Sequence, residues 1–387
     1  MESIIRKLKK SLPGDLLPVT QSGTIVFIEE AGPQRFWSEL IGSLEAGSSV
    51  VLMDPDWPPD WRETLVARAM TLPAGTDPSI LIPTSGSTGL PKFCVHNLNT
   101  LEAAAKGYRD VNVGRPVQHS VTLLPQCHIG GLMPVFRSAL CGGRVHFGNY
   151  RDAESMLRAP FNLSEAAISL VPTQLRRMRE ISGMVAVLRS FGLILIGGAA
   201  CPVDLLEWAK GEDLRLAPCY GSTETAAMVT MLSPDDFLAG KEGVGSSLPH
   251  ADIQIRDDGR ISITASSLFN GYHPADRMPR DSSYMTGDIG TLDADGNLHI
   301  LGRADRVIIT GGKNVHPELV ENAAMATGLL ASADCRPVND PDWGQRIELW
   351  IDPVDPAPGV RHELETRLRA SLPPYARPKH IHLIRET

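Results

Sequence analysis

The sequence predicts an α/β protein. A large N-terminal domain of layered α/β sheets carries a small β-barrel-like subdomain, and a small mobile α+β C-terminal domain follows. Three observations lead there. Short apolar runs alternate with helical stretches over roughly the first 240 residues. Beyond them, Asp-Gly turns separate strands of alternating polarity. From Asp305 onward the pattern reads strand, helix, strand, helix. The boundary is placed between residues 304 and 305, giving domains 1–304 and 305–387.

The elements follow in order. Residues 34–49, "QRFWSELIGSLEAGSS", carry helical apolar spacing. "VVLMD" (50–54) is a short apolar run rich in β-branched residues and bounded by Asp and Pro, which reads as a buried strand. "SILIP" reads the same way, as do "HSVTLLP" (119–125), "GRVHFG" (143–148), "AAISLVP" (166–172) and "GLILIGG" (192–198). Helical stretches at 152–158, 173–189 and 202–210 lie between them, so largely parallel sheets are expected. "ADIQIRDDGRISITA" and "GTLDADGNLHILGR" read as hairpins turned at Asp258-Gly259 and Asp295-Gly296. In the last domain "RVIITGG" and "RIELWIDP" are strands, and "PELVENAAMAT" and "VRHELETRLRASL" are helices.

Composition excludes several classes. The chain has 387 residues, 42% apolar and 21% charged, as in an ordinary globular protein with more than one domain. A net charge of −8 and sparse aromatics argue against nucleic acid or an anionic membrane as partner. No run of about 18 apolar residues is present, and "MESIIRKLKK" lacks the apolar stretch of a secretory signal. The six cysteines are scattered without a C-x-x-C pair, so neither a disulfide framework nor a zinc site is expected. A reducing cytoplasm is the expected address. A homodimer is the default assembly.

The stretch "TSGSTGLPK", Thr84 to Lys92, follows an apolar strand. Glycines let backbone N–H groups approach an anion, hydroxyls add short hydrogen bonds and the lysine adds a point charge. It is not a Walker A loop, because Pro91 stands where glycine should precede the lysine. Composition alone suits a phosphate cradle and a surface turn equally.

Four further stretches resolve the choice. "CYGSTET" (219–225), "YMTGDIG" (284–290), "GRADRVIITGGKNVHPELVE" (302–321) and "YARPKHI" (375–381) follow the loop in order. Together the five resemble the ordered motifs of the adenylate-forming acyl-CoA synthetase superfamily. The resemblance implies ATP-dependent activation of a carboxylate to an acyl-adenylate, then displacement of AMP by coenzyme A, with Mg2+ as cofactor.

The resemblance also implies roles. Thr84, Ser85, Gly86, Ser87, Thr88, Gly89 and Lys92 would hold the β- and γ-phosphates. Thr223 would bond the α-phosphate and Glu224 would bind Mg2+, a hard ligand for a hard cation. Gly197, Gly198 and Ala199 would leave room for adenine, with Tyr220 stacked on it and Gly221 beside it. Asp288 would accept both ribose hydroxyls and Arg303 would reach ribose or phosphate. Asp305 would be the hinge, and the Thr310 to Asn314 loop would line the coenzyme A tunnel; Lys313 is given no role. His128 would gate the site near the acyl-adenylate.

The stretches "LLPQCHIGGLMPVFRSALCGG", "SLVPTQLRRM", "LIGGAACPVDLLEWA" and "GVGSSLPHADIQI" resemble one branch of that superfamily, the o-succinylbenzoate–CoA ligases of menaquinone biosynthesis. Such a substrate carries a second carboxylate. Arg137 is the first candidate to receive it, with Arg176 and Arg177 as alternatives. Thr173 and Gln174 would line the acid pocket. Another aryl- or acyl-CoA ligase, and a nucleotide-binding homologue impaired in adenylation, remain open.

Two departures stand out. Only 83 residues precede Thr84, fewer than the family pattern has, so part of the first subdomain is expected to be trimmed. The sequence also stops at Thr387, before the loop where the family places its adenylation lysine, and Lys379 is a poor substitute. Without that lysine the adenylation step is expected to be slow, while thioester formation from a supplied acyl-adenylate survives.

Overall fold

The computed structural model describes residues 2–17, 24–29, 32–72, 77–84, 92–112, 117–274, 279, 282–355 and 359–384. They divide into two compact units. One comprises Met1–Ala200, Glu212–Ile253 and Ile263–Tyr284; the other comprises Cys201–Gly211, Gln254–Ser262 and Met285–Thr387.

In the first unit a five-stranded sheet runs Ile25–Glu29, Ser49–Met53, Ile80–Thr84, Lys92–His96, Tyr272–His273. The first three strands are parallel and the last two are antiparallel additions. Every residue of Ser49–Met53 is buried, which is why its sequence is a continuous apolar run rather than an alternating one. A seven-stranded sheet runs Ser246–Ser247, Ala227–Met231, Leu216–Ser222, Leu193–Ile196, Ala166–Leu170, His119–Thr122, Val145–Phe147. Its last five strands are parallel, as the alternation with helices requires. Helices Glu2–Ser11, Pro33–Glu45, Leu98–Val111 and Ile129–Cys141 contribute Ile4, Leu8, Phe36, Trp37, Leu101 and Phe136 to one apolar core.

Two helices differ from expectation, each at a glycine. The helix expected to reach residue 49 stops at Glu45, because Gly47 turns the chain at φ 79° and Ser49 already pairs with Ile25. The single helix expected over 173–189 is two, Pro172–Arg179 and Met184–Ser190, separated at Gly183 with φ 78°.

Strands Ala251–Ile255, Arg260–Ala265, Tyr284–Leu292 and Leu298–Arg303 form a four-stranded sheet in that order, in the region expected to be barrel-like. Both Asp-Gly turns are present, with Gly259 at φ 81° and Gly296 at φ 80°. A further sheet, wholly within the second unit, orders Lys313–Val315, Ile308–Thr310, Gly344–Pro353 and Leu330–Asp340, with His380–Leu383 pairing parallel to Gly344–Pro353. Helices Pro317–Met325 and Val360–Ser371 supply Val320, Ala324, Leu364 and Leu368 to its core. Leu330–Asp340 escaped the sequence reading because charged and exposed positions interrupt its apolar period.

Candidate active site

Thr84 and Lys92 are register partners across an antiparallel pair, and the Thr84 hydroxyl donates to the Lys92 carbonyl at 3.3 Å. The hairpin therefore holds the two ends of the "TSGSTGLPK" loop side by side. Ser85, Gly86, Ser87, Thr88 and Gly89 lie outside the described residues.

Lys92 Nζ sits 3.5 Å above the centroid of the Tyr272 ring. The same phenol donates to Glu224 Oε1 at 2.5 Å. Tyr272 thus presents its face to a cation and its hydroxyl to a carboxylate. Burial first, and then its bond to the Glu224 carboxylate, hold the phenol pKa far above its usual value, so it stays a donor. The edge of Phe269 packs against it with ring centroids 4.8 Å apart. Phe269 N also donates to Glu224 O at 2.8 Å, tying the carboxylate's own backbone to the aromatic pair.

Local backbone geometry presents Glu224. Strand Leu216–Ser222 runs into a single 3-10 turn, Thr223–Thr225, and then reverses through Ala226 at φ 55° and Ala227 at φ 76°. Two successive non-glycine residues in the left-handed region are costly, of order 1 kcal/mol or more each, and persist only where neighbours impose them. Thr225 is fully buried beneath the turn, with its Oγ1 2.6 Å from Ala227 O and accepting from Ser222 N at 2.8 Å. Gly221 is fixed by space, since a Cβ there would stand 1.9 Å from Ala227 O. His96, also fully buried, lies 2.7 Å from Thr223 O and 2.9 Å from the Thr100 hydroxyl. A carbonyl only accepts, so Nε2 carries the proton and the ring is neutral; burial pushes its pKa down to about 4.

Strand Leu193–Ile196 delivers Gly197, Gly198 and Ala199 to a half-buried to exposed turn at its C-terminal end. Such ends are where open α/β sheets bind ligands. Gly198 has φ 78°, and a Cβ on Gly197 would meet Cys219 Sγ at 2.9 Å, so both glycines are set by backbone and packing. Tyr220 follows Cys219 on the neighbouring strand and is half-buried.

Arg137 is only 6% exposed on helix Ile129–Cys141. Its Nη1 donates to Ser169 Oγ at 3.2 Å and its guanidinium lies 5.5 Å from the Tyr108 ring centroid. Among the described residues no carboxylate lies within ion-pair distance of it. Burial, by stripping water from the charged guanidinium, lowers its pKa. His128 immediately precedes the same helix without a side-chain capping bond, and its Nε2 lies 3.1 Å from Asp54 Oδ2. At the start of helix Pro172–Arg179, Gln174 accepts from Val171 N at 3.2 Å, so its side-chain oxygen serves as a helix cap, whereas Thr173 is exposed.

In the second unit Asp288 and Arg303 are register partners on antiparallel strands, with Arg303 Nη1 donating to Asp288 Oδ1 at 3.3 Å. Arg303 also forks onto Asp305 through Nε and Nη2, both at 3.1 Å. The Asp305 carboxyl is held below the usual range chiefly by this pairing. Three residues expected to serve ribose binding and hinge motion therefore form one chain of ion pairs.

Sequence reading missed Tyr272 and His96. Tyr272 lies in "FNGYHP", 48 residues from Glu224, and His96 lies 127 residues from Thr223. Nothing in their local sequence points to those partners; only strand pairing supplies them.

Comparison with known proteins fits this layout. A family model described as AMP-binding enzyme matches residues 26–273. The 2-succinylbenzoate–CoA ligase of Bacillus licheniformis is 30% identical over 329 residues, covering 80% of this chain and 66% of that protein. The ligase of the same name from Salmonella typhimurium is 33% identical over 267 residues, covering 68% of this chain and 55% of that one. The chain thus spans under two thirds of the length of these curated relatives. In structure, it resembles the Bacillus subtilis o-succinylbenzoate CoA synthetase solved with the acyl-adenylate intermediate OSB-AMP, with TM-score 0.81, 20% identity, and coverage of 99% of this chain and 88% of that one. That likeness is one of fold. The family model takes in Thr84, Lys92, the Glu224 turn and Tyr272, and on this match the chain belongs to the AMP-binding enzyme family.

Proposed function

We propose that this chain activates a carboxylic acid with ATP and transfers it to coenzyme A, with o-succinylbenzoate as the first substrate to test. The observation that carries the reading is the Lys92–Tyr272–Glu224 cluster. It places a cation and a carboxylate at the foot of a loop rich in glycine and hydroxyls. Such a pair suits a Mg2+-nucleotide: lysine against phosphate oxygens, carboxylate against the metal. Glu224 fits that ion, because Tyr272 engages Oε1 and so orients the group. When bound, Mg2+ supplies charge neutralisation at the phosphates.

The residues then divide the work. Thr84, Lys92 and the loop between them hold the β- and γ-phosphates, and Thr223 bonds the α-phosphate. Gly197, Gly198, Ala199, Tyr220 and Gly221 form the adenine pocket. Asp288 and Arg303 hold the ribose, and Asp305 is the hinge between domains 1–304 and 305–387. His128 gates the acyl-adenylate, while Thr173 and Gln174 line the acid pocket. Arg137 receives the second carboxylate. A buried guanidinium without a carboxylate partner is costly, and an anionic ligand group offsets that cost. The names of the curated relatives support this choice of acid. The enzyme works in the cytoplasm, as a homodimer.

The test is pyrophosphate release and thioester formation with ATP, coenzyme A and a panel of carboxylic acids. The reading expects o-succinylbenzoate to be preferred over its monocarboxylate analogue. Arg137→Gln should erase that preference while leaving turnover of the monocarboxylate. A ligase with a different acid preference would overturn the substrate. ATP binding with no turnover on any acid would overturn the activity.

A further inference from the structure

We infer that Asp54, Cys127 and His128 form a binding site for a soft divalent transition metal, zinc first. The three side chains offer a carboxylate oxygen, a thiol sulfur and an imidazole nitrogen, all within 4.8 Å of one another. His128 Nε2 and Asp54 Oδ2 already stand 3.1 Å apart. Around tetrahedral zinc, with bonds of about 2.0–2.3 Å, neighbouring ligand atoms lie roughly 3–4 Å apart, so the His128–Asp54 pair already has that spacing and the three side chains close by at most about 1 Å around the ion. Thiolate with imidazole selects zinc over magnesium or calcium, and a three-ligand set leaves a fourth position for water.

The frame around the three is rigid. Asp54 follows the wholly buried strand Ser49–Met53, and its Oδ1 accepts from Asp56 N at 2.9 Å, which turns Oδ2 toward the histidine. Cys127 is 1% exposed, and the helix that begins after His128 packs so closely that a Cβ on Gly131 would stand 2.1 Å from Pro125 O. The His128 side chain is 45% exposed, so an ion reaches the site from solvent. Binding converts the thiol to thiolate and releases its proton to the buffer. Where His128 gates the acyl-adenylate as proposed above, zinc withdraws that imidazole; this consequence rests on that reading, whereas binding does not.

Binding is measured without turnover. Tag-free protein is titrated with Co2+ and followed by absorbance. The expected result is one thiolate-to-cobalt charge-transfer band per chain, with tetrahedral visible bands, both abolished by stoichiometric Zn2+. Cys127→Ser should lose the charge-transfer band, and Asp54→Asn, which keeps the thiol and the side-chain shape, should weaken Zn2+ by about tenfold or more. No charge-transfer band, or a band that survives in Cys127→Ser with native circular dichroism, would overturn the site. Unchanged Zn2+ affinity in Asp54→Asn would do the same.

Discussion

Replacing His96 by glutamine separates its titration from its packing. In the native protein the ring is neutral, with a pKa near 4 set mainly by burial, whereas in the unfolded chain it titrates near 6.5. Between those values the unfolded state binds more protons than the native one, so stability rises with pH across that window. The contribution is fully present above about pH 6.5 and is lost as pH falls through about 4. The gap from 6.5 to about 4, at about 1.36 kcal/mol per pH unit, amounts to about 3 kcal/mol. Glutamine keeps an amide donor for the Thr223 carbonyl and has no proton to gain; the poorer fit costs about 1 kcal/mol at neutral pH. Chemical denaturation of both proteins from pH 4.5 to 8 should therefore give stability curves that cross between about pH 5 and 6, the variant being the more stable on the acid side. Parallel curves would show that His96 is not a buried neutral histidine, and the account of how the Thr223–Thr225 turn is supported would fail.

Tyr272→Phe keeps the ring under Lys92 and deletes the hydrogen bond to Glu224. Bonds to charged groups contribute about 1.5–3 kcal/mol to the folded state, so the melting temperature should fall by a few degrees, and with Glu224 no longer oriented the apparent Mg2+-ATP affinity should fall about tenfold; a superimposable Mg2+ titration would sink this role. Gly221→Ala forces a Cβ onto the Ala227 carbonyl and should cost more than about 2 kcal/mol, read as a drop in melting temperature of several degrees. Asp288→Asn leaves the strand pairing intact, so ATP KM should rise about tenfold with little change in melting temperature; an unchanged KM would remove Asp288 from the nucleotide site.

Much of the fold was legible because burial writes itself into composition. Ser49–Met53 and Leu193–Ile196 read as strands since both their faces are covered. Boundaries were harder to place. Gly47 and Gly183 each end or split a helix through a left-handed φ that apolar spacing does not encode. Candidate residues could be named from sequence where they are contiguous, in "TSGSTGLPK" and "YGSTET", and could not where distant segments bring them together. Tyr272, His96 and the Asp54–Cys127–His128 group each depend on strand or helix contacts between distant segments. A linear scan for C-x-x-C spacing could not see the last of these, because its carboxylate stands 73 positions before its thiol.

The two-residue strand Tyr272–His273 pairs with Cys94 and Phe93, so the outer edge of the first sheet is closed by chain made nearly 180 residues later. Closing so long a loop is slow relative to local contacts. During synthesis the hairpin bearing Lys92 leaves the ribosome long before the ring that will lie beneath it. Lys92 is then without the ring of Tyr272 until the region through His273 has emerged. The contact between Lys92 and Tyr272 is in this sense a late event in the life of the nascent chain, made only when nearly all of the first unit has been synthesised.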